Sequence, residues 1–521
     1  MKKIICSLFI ILLSVSLFAK NSVKYAFNAK RAVKDKGNSS FNKTISAIEL
    51  VQDMKTGWNL GNTMDANGST GLESETSWGQ PLATKAQIDG LVAAGFKTIR
   101  IPCSWKNHLV DSNYTIDPEW MKRVKTIVDW AIADGMYVIL NDHHDNFDTE
   151  GFMHYGDGYY PSSLNYNESM RFLRNLWAQI SLAFNSGYDE HLIFEVLNEP
   201  RLRGHSHEWN YMKNCTTCKN GAQTLNKLNQ LCLDTIRASG KNNANRFVMV
   251  TGLAAAMVSY TADDSWVLPV ENGDNKLIIS VHMYSPYPFA MQNPGIRDFS
   301  ENLTAELEFN FKWLADKFVS RGIPVVIGEV GHAPDNEILT SGIGHTATEE
   351  EQLAPVLVLA EEAGKYGMCP MLFYAEQTWE NTDFAKKVLV AWEKGKQETE
   401  NQLAKSIEIR DLWLFGENVS FDDTTKILKI SGQYERGAID VQTCEKMGKY
   451  IVFEYSSLAG NMVLDVLYND NTRDTESCSS DKTKIYIELN DTKKPVRFDF
   501  VSMDESEVSI KLCKLYYADE V

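Results

Sequence analysis

The sequence lacks several features, and each absence narrows the class of protein. Beyond the N-terminal segment, no stretch stays apolar for the roughly 20 residues that a membrane-spanning helix needs. There are no internal repeats and no low-complexity tracts. Neither a glycine-rich phosphate loop nor a convincing metal cluster occurs, so we expect no cofactor and no metal. With 44% hydrophobic and 23% charged residues, the 521-residue chain has the composition of a soluble protein, and its length favours two domains.

Positive charge is also scarce. The chain has 52 lysine and arginine residues against 69 aspartate and glutamate residues, which gives a net charge of −17. Such an acidic chain is poorly suited to nucleic acid or to an anionic membrane, and it suits a neutral substrate.

The N-terminus has the organisation of a secretory signal peptide. Met1-Lys2-Lys3 precedes an apolar run over residues 4–18, and the small residue Ala19 follows. The run is shorter than a bilayer anchor requires. We therefore predict a signal peptide over residues 1–19 and a secreted or periplasmic mature protein, which we expect to be monomeric and not membrane-bound. Cleavage of the signal peptide removes Lys2 and Lys3 and changes the net charge from −17 to −19.

The pattern after the signal peptide predicts a barrel. Residues 20–43 are polar and lysine-rich, which favours a spacer that need not pack. From residue 44 to residue 394, eight short apolar runs alternate with amphipathic stretches. Continuous apolar runs are typical of parallel strands that are covered on both faces. Eight such strand–helix units predict an α/β protein with a (β/α)8 barrel over residues 44–394.

The character of the sequence changes after the predicted barrel. Residues 395–406 are highly charged and are interpreted as a linker, with the end of the last barrel helix as the alternative. Beyond them apolar residues alternate with a period of two, as in Ile485–Leu489 and Val496–Phe500. This alternation predicts a small antiparallel β-sandwich over residues 407–521. Carbohydrate binding, packing against the barrel and a role in export are alternatives for this accessory domain.

Two glutamates interrupt apolar runs at predicted strand ends, where barrels of this kind collect functional groups. Glu199 ends the fourth predicted strand, and Glu329 lies at the end of the seventh. Cleavage of a glycosidic bond needs one carboxyl group to protonate the leaving oxygen and a second carboxylate to attack or to activate water. A single strand-end glutamate is as readily explained as a salt-bridge partner as by a catalytic role. The pair favours a catalytic role.

The sequence around these glutamates resembles the family 5 glycoside hydrolases, of the clan with its acid/base on strand four and its nucleophile on strand seven. The two strand motifs are Leu197-Asn-Glu-Pro200 and Ile327-Gly-Glu-Val330. The resemblance extends from about Ile45 to Trp392 and narrows to the bacterial endoglucanase, or cellulase, subfamily that includes lichenases and xyloglucanases. Further matching motifs are Gly57–Asp65, Glu75–Gly79, Ile99–Pro102, His143–Asp145, Phe194–Arg201 and Val281–Phe289.

The resemblance implies an endo-acting, retaining hydrolase of β-1,4-linked glucan. Glu329 would attack the anomeric carbon, while Glu199 would first donate a proton and then deprotonate water. Arg100 would keep Glu329 ionised, Tyr284 would orient it, and Asn198 would hold the sugar 2-hydroxyl. Xyloglucan, mixed-linkage glucan and mannan are alternative substrates. A barrel that only binds carbohydrate is an alternative of another class.

Other polar residues at strand ends join this predicted site. Asn59, His143, His144 and His282 interrupt apolar runs, and the resemblance implies that His143 and His282 hydrogen-bond sugar hydroxyls and tune Glu199. The triplet His143-His144-Asp145 could instead suggest metal ligands. Adjacent strand residues point to opposite faces, however, so we do not expect them to share one ion.

Tryptophans are expected to stack on the apolar faces of sugar rings. By their motifs, Trp58 and Trp78 are the better candidates to line the cleft, and Trp105 is the next candidate. A core position is the alternative for each of the three.

One departure from the family concerns strand eight, which usually ends in a tryptophan beneath the sugar. Here the run is Met371-Leu-Phe-Tyr-Ala-Glu376. Phe373, Tyr374 or Trp379 could take the place of that tryptophan.

The cysteines leave their pairing open. Cys215-Thr-Thr-Cys218 could suggest a redox or zinc motif, but no second ligand pair follows at zinc-finger spacing. A structural role or free thiols are therefore expected for this pair. The disulfide connectivity of the other cysteines cannot be predicted from the sequence.

Overall fold

The computed structural model describes residues 26–271, 273, 275–291, 301–331, 349–373, 382–407, 409, 412–441, 448–490 and 492–518. The predicted signal peptide lies outside this described part. The chain divides into two compact units, Met1–Lys396 and Gln397–Val521. Across the described ranges, no helix combines the length and the apolar character that crossing a membrane would need.

The first unit contains the predicted barrel. Eight parallel strands pair in sequence order, and the barrel closes where β1 pairs with β8, with Gly57 opposite Met371. The strands are almost entirely buried, as the continuous apolar runs predicted. Their bounds are β1 Gly57–Asn59, β2 Thr98–Ile101, β3 Tyr137–Asn141, β4 Leu192–Glu195, β5 Val248–Ala256, β6 Leu277–His282, β7 Val325–Val330 and β8 Cys369–Leu372.

Helices follow the strands around the barrel. The helix at residues 118–133 shows why they form: Asp117 caps it by accepting the backbone N–H of Glu119 at 3.0 Å, Pro118 begins it, and one apolar face is buried. The helices of the described part are α1 Ala47–Met54, α2 Lys85–Ala94, α3 Pro118–Ala133, α4 Tyr166–Ala183, α5 Thr216–Ala238, α6 Val258–Thr261, α7 Tyr287–Ala290, α8 Glu301–Lys317, α9 Glu349–Lys365 and α10 Thr382–Lys405.

Helix α1 closes the barrel at its amino-terminal end. Its buried residues Leu50, Val51 and Met54 belong to the same hydrophobic cluster as inward-facing strand residues such as Ile139 and Val326. The Thr98 hydroxyl, at the start of β2, donates to the Met54 carbonyl at 2.9 Å. The opposite end of the barrel, where the strands end, is therefore left for polar side chains.

The predicted spacer packs against the barrel over its described residues, 26–43. The rings of Phe27 and Phe41 are buried, and the backbone N–H groups of Ala26 and Phe27 donate to the Asn175 side chain at 2.7 and 3.3 Å. The Asp35 carboxylate also accepts the backbone N–H of Asn185 at 3.2 Å. The expectation of an unpacked spacer was wrong here, because two aromatic anchors and a few hydrogen bonds are enough to hold a polar segment.

The predicted linker is not a separate element. Helix α10 continues to Lys405, so residues 395–405 form its last turns, and β9 begins at Ser406. The alternative interpretation, the end of the last barrel helix, is the one that the structure has.

The second unit contains two antiparallel sheets around one core, as predicted. One sheet has the order β10-β13-β18-β15-β16, and the other has the order β11-β12-β19-β14-β17, with β9 also paired to β19. Over residues 484–488 the buried Ile485 and Ile487 alternate with the exposed Lys484, Tyr486 and Glu488. The strands are β9 Ser406–Ile407, β10 Trp413–Phe415, β11 Val419–Asp422, β12 Ile427–Ser431, β13 Arg436–Asp440, β14 Tyr450–Ala459, β15 Met462–Tyr468, β16 Arg473–Cys478, β17 Lys484–Glu488, β18 Pro495–Ser502 and β19 Glu507–Ala518.

Candidate active site

Arg100, on β2, is the centre of a buried polar network at the carboxyl ends of the strands. Its Nη1 donates to Glu329 Oε1 at 3.0 Å and to Asn59 Oδ1 at 2.9 Å. Its Nη2 donates to Asn198 Oδ1 at 2.6 Å, and its Nε donates to Glu195 Oε2 at 2.7 Å. Burial lowers the pKa of Arg100, but the charges of Glu195 and Glu329 outweigh that effect, so the pKa is raised and the guanidinium stays charged.

Asn59 holds Arg100 from the side of β1. Its amide nitrogen donates to the carbonyl of Gly328 at 3.0 Å and to that of Met371 at 3.1 Å. These contacts turn its oxygen towards Arg100 and connect β1 with β7 and β8. Asn59 is therefore a positioning residue for the network, in agreement with its placement among the predicted site residues.

Glu195, on β4, is a site residue that the sequence analysis missed. It is completely buried, and its Oε2 accepts from Arg100 and from Asn141 Nδ2 at 3.0 Å, while its Oε1 accepts from Ser280 Oγ at 2.6 Å. A carboxylate inside an apolar strand needs such partners, because burying an unpaired charge is very costly. Its position as the one charged residue within the run Ile193-Phe-Glu-Val was the available signal.

Glu329, on β7, is held through both of its oxygens. Oε1 accepts from Arg100, and Oε2 accepts the Tyr284 hydroxyl at 3.0 Å. Burial and the charge of Glu329 raise the pKa of Tyr284, so its phenol keeps the proton that it donates. The carboxylate is thus fixed in orientation while only a small part of it is exposed, as the predicted roles of Arg100 and Tyr284 require.

Glu199, four residues beyond the end of β4, forms a pair with His282 at the end of β6. His282 Nδ1 lies 2.8 Å from Glu199 Oε1. Burial raises the pKa of Glu199, but the hydrogen bond and charge of His282 lower it, and the net shift is downward. For His282 the effects are reversed. Burial lowers its pKa, but the charges of Glu329 and Glu199 raise it by more, and the net shift is upward.

Both net shifts favour the charged forms of the Glu199–His282 pair, with the proton on the imidazole and Glu199 ionised. The acid role that the resemblance implies for Glu199 requires the proton to move from His282 to the carboxylate. The proton can reach Oε1 along the 2.8 Å contact, and exclusion of water by a bound ligand would favour the neutral pair over the charged one. Oxygens of Glu199 and Glu329 lie within 4.8 Å of each other, with His282 between them.

His143 and Asn198 complete the buried floor of the site. His143 Nδ1 lies 3.0 Å from Asn141 Nδ2, and its Nε2 lies 3.3 Å from Asn198 Nδ2 and 3.8 Å from Glu329 Oε1. Burial and the nearby His144 hold the pKa of His143 well below its usual range, so the ring is neutral. The backbone N–H of Asn198 donates to the Asp142 carbonyl at 2.9 Å, which ties the loop after β4 to the end of β3.

His144 and Trp78 lie at the more open edge of the site. Their rings are 5.3 Å apart, and Trp78 is 42% exposed, so its face is accessible as the cleft prediction requires. His144 lies beside His143, with ring centroids 4.3 Å apart, because both follow the end of β3. The expectation that these neighbours point to opposite faces was wrong for that reason. Asp145 is engaged elsewhere, since it accepts the Trp105 backbone N–H at 2.9 Å.

Two tryptophans predicted to line the cleft are part of the core instead. Trp58 is 4% exposed and packs against Phe96, with ring centroids 5.8 Å apart. Trp105 is fully buried, and its Nε1 donates to the Asn141 carbonyl at 2.9 Å. Side chains alternate along β1, so the register that turns Asn59 towards Arg100 turns Trp58 towards the surrounding helices.

The end of strand eight is described only as far as Phe373. The Phe373 ring lies so close to Gly61 that a Cβ on that glycine would stand 2.4 Å from Cζ. Its backbone N–H donates to the Val330 carbonyl at 2.8 Å. Tyr374 and Trp379, the other predicted replacements for the tryptophan of this strand, lie outside the described residues.

A (β/α)8 barrel with two close carboxylates after its fourth strand and on its seventh has the site of a glycoside hydrolase. The family model described as Cellulase (glycosyl hydrolase family 5) matches residues 62–363, which is more than half of the 521 residues. The chain therefore belongs to this family, and the predicted resemblance is confirmed.

Named relatives agree with this membership. Endoglucanase B of Ruminococcus albus is 46% identical over 288 residues, which are 55% of this chain and 65% of that protein. Endoglucanase A of Clostridium longisporum is 42% identical over 300 residues, which are 56% of this chain and 54% of that protein. The chain thus spans less than two thirds of the length of these curated relatives.

Solved structures show the same barrel. A family 5 lichenase from Caldicellulosiruptor sp. F32 is 34% identical, with a TM-score of 0.60, and the match covers 70% of this chain and 100% of that one. A broad-specificity endoglucanase from Ruminococcus champanellensis with bound cellotriose is 32% identical, with a TM-score of 0.58. The match covers 68% of this chain and 99% of that one.

Proposed function

We propose that this protein is an endo-acting, retaining glycoside hydrolase that cleaves β-1,4-glucosidic bonds in cellulose-type glucans. The observation that carries the proposal is the separation of the two glutamates, whose nearest oxygens lie within 4.8 Å. Retaining enzymes keep their carboxyl groups about 5–5.5 Å apart, whereas inverting enzymes leave about 6.5–9.5 Å for a water molecule. The close pair therefore favours direct attack by one carboxylate.

In the first step, Glu329 is the nucleophile and Glu199 is the acid. Arg100 and Tyr284 hold the two oxygens of Glu329, so that the carboxylate is oriented for attack on the anomeric carbon. As the glycosidic bond breaks, Glu199 gives the proton of the Glu199–His282 pair to the leaving oxygen. A covalent glycosyl–Glu329 ester remains.

In the second step, Glu199 is the base. Formation of the ester removes the negative charge of Glu329, and Glu199 has already lost its proton. Glu199 then takes a proton from water, which attacks the anomeric carbon and releases Glu329. Two inversions leave the configuration unchanged.

The choice of substrate rests on the edge of the site and on the relatives. Trp78 offers an exposed ring on which the apolar face of a sugar can stack. The solved neighbours are a lichenase and a broad-specificity endoglucanase, which supports mixed-linkage and cellulose-type glucans as substrates. Xyloglucan and mannan remain alternatives, as does a role in binding only.

The test is the release of reducing sugar from carboxymethylcellulose, barley β-glucan, xyloglucan and mannan. We expect the largest release from the two unsubstituted glucans, with a rapid fall in viscosity that marks internal cleavage, and a first product in the β configuration by NMR. An α-configured first product would contradict the retaining mechanism. Folded protein that releases no sugar from any polymer would favour the binding role.

We also propose that the protein acts outside the cytoplasm and as a monomer. The charged and apolar regions of residues 1–19 support export, since polymeric glucan does not enter a cell. The described network around Arg100, Glu199 and Glu329 is connected within one chain, which supports a site that a monomer can form.

The Glu199–His282 pair makes the pH profile testable. The active site needs one proton on the pair, and the pKa of His282 is raised above its ordinary value of 6.5, so activity should fall only as the pH rises through that higher pKa. In His282→Asn, Glu199 alone must hold the proton, and the ordinary pKa of a glutamate, about 4.3, lies about two units below that of a histidine, although burial raises it. The basic limb of kcat/KM should therefore move to lower pH.

The control for this profile is His154→Asn, which replaces an exposed histidine outside the site. Its profile should match that of the wild type. A basic limb that stays in place in His282→Asn would show that the pair does not hold the essential proton.

A further inference from the structure

Four side chains of metal-binding type converge in the loop between β4 and α5. They are His205, His207, Cys215 and Cys218, and one ligand atom from each lies within 4.8 Å of all the others. None of them belongs to the network around Glu199 and Glu329. Cys218 is fully buried, and the other three side chains are partly exposed, which leaves a path from solvent.

The distances are close to those of a tetrahedral centre. Cys218 Sγ lies 3.5 Å from His207 Nδ1. With bonds of about 2.3 Å to sulfur and about 2.0–2.1 Å to nitrogen, a tetrahedral ion would separate these two atoms by about 3.6 Å. The rings of His205 and His207 have their centroids 5.1 Å apart, and the backbone N–H of His207 donates to His205 Nδ1 at 3.1 Å, which holds that ring beside the others.

The two sulfurs are presented by the first turn of α5. Cys215 is the N-cap residue of this helix, and its Sγ accepts the backbone N–H of Cys218 at 3.4 Å. Residues three positions apart lie on one side of a helix, so both sulfurs face the same point. Both cysteines are free thiols. The histidine pair comes from the loop before the helix, which Arg201 also steadies by an ion pair with Glu208 at 3.5 Å.

We propose that His205, His207, Cys215 and Cys218 bind one zinc ion that fastens the loop after Glu199 to the first turn of α5. Two thiolates and two neutral imidazoles are a common zinc ligand set, and the two thiolates balance the charge of the ion. Four protein ligands leave no open position for water, so the site is structural. The second ligand pair lies before Cys215, as a His-x-His motif, and not after Cys218 at zinc-finger spacing.

The experiment measures the metal content of the full chain, purified in reduced form, incubated with zinc sulfate and dialysed against metal-free buffer. We expect one zinc per chain by mass spectrometry. His207→Asn and Cys215→Ser, which change partly exposed residues, should lose this zinc while the far-ultraviolet circular dichroism spectrum stays unchanged. The matched controls His154→Asn and Cys513→Ser change an exposed histidine and an exposed cysteine elsewhere, and they should keep one zinc.

Cobalt provides a second readout of the same site. The cobalt-loaded chain should show the strong visible absorption of a tetrahedral Co²⁺–thiolate centre, and this absorption should be absent in Cys215→Ser. A folded, fully reduced wild-type chain that binds no zinc would overturn the proposal. Zinc content that is equal in the wild type and in both ligand variants would overturn it as well.

Discussion

Replacing Glu329 by glutamine should reduce the turnover of glucan on the order of 10⁴-fold or more, because the variant can no longer form the glycosyl ester. Glutamine has nearly the same shape as glutamate, so its side chain still fills this position next to the Tyr284 hydroxyl. Arg100 keeps its charge partner Glu195 at 2.7 Å, and the barrel should remain folded. The measurement compares kcat on barley β-glucan with the circular dichroism spectrum of the same preparations.

A smaller residue and an external nucleophile separate the roles of the two glutamates. In Glu329→Ala, azide can enter the space of the missing carboxylate and attack the anomeric carbon of an aryl cellobioside, which gives the α-glycosyl azide by a single inversion. In the matched variant Glu199→Ala, azide should instead attack the glycosyl–Glu329 ester and give the β-glycosyl azide. The opposite pair of products would reverse the assignment of nucleophile and acid/base.

Replacing Arg100 by methionine should lower the free energy of unfolding by about 3–5 kcal/mol, which is the usual effect of breaking a buried ion pair from one side. Glu195, completely buried, would lose its counter-ion, and Asn59 and Asn198 would each lose a donor. The same change should reduce kcat on the order of 100-fold or more, since Glu329 loses the hydrogen bond that orients it. Urea unfolding and kcat on one substrate measure both effects.

A double variant distinguishes the structural role of Arg100 from its catalytic role. Arg100→Met combined with Glu195→Gln removes both the guanidinium and the carboxylate to which its Nε donates. We expect this variant to recover a large part of the lost stability, because the charge of the completely buried Glu195 is gone, and to recover none of the lost activity. A stability loss below about 1 kcal/mol in the single variant would contradict the buried ion pair.

Local patterns in the sequence determined the barrel and its chemistry. Continuous apolar runs predicted eight buried parallel strands, because strands that are covered on both faces have no solvent side to alternate with. Polar residues that interrupt or end those runs were predicted to form the site, and they include Glu199, Glu329, Arg100, Tyr284 and Asn198. The barrel prediction is confirmed, and these polar side chains lie near one another, because strand order and strand ends depend on short stretches of chain and the barrel brings all carboxyl ends to one face.

Contacts between distant stretches decided the rest. Only barrel closure shows that Trp58 faces the helices, that Glu195 lies under Arg100, and that Phe27 anchors a polar segment that was expected to be a spacer. In the same way, the loop brings His205 and His207 close to Cys215 and Cys218, for which the sequence had indicated only a structural role or free thiols.

The sequence by itself thus determined which residue types are available and on which strands they lie, because hydrophobic periodicity is a local property. Only the tertiary structure decided which of them meet. A close contact between two side chains depends on the register of several strands and on the paths of the loops between them. Neither is encoded in any one stretch of the chain.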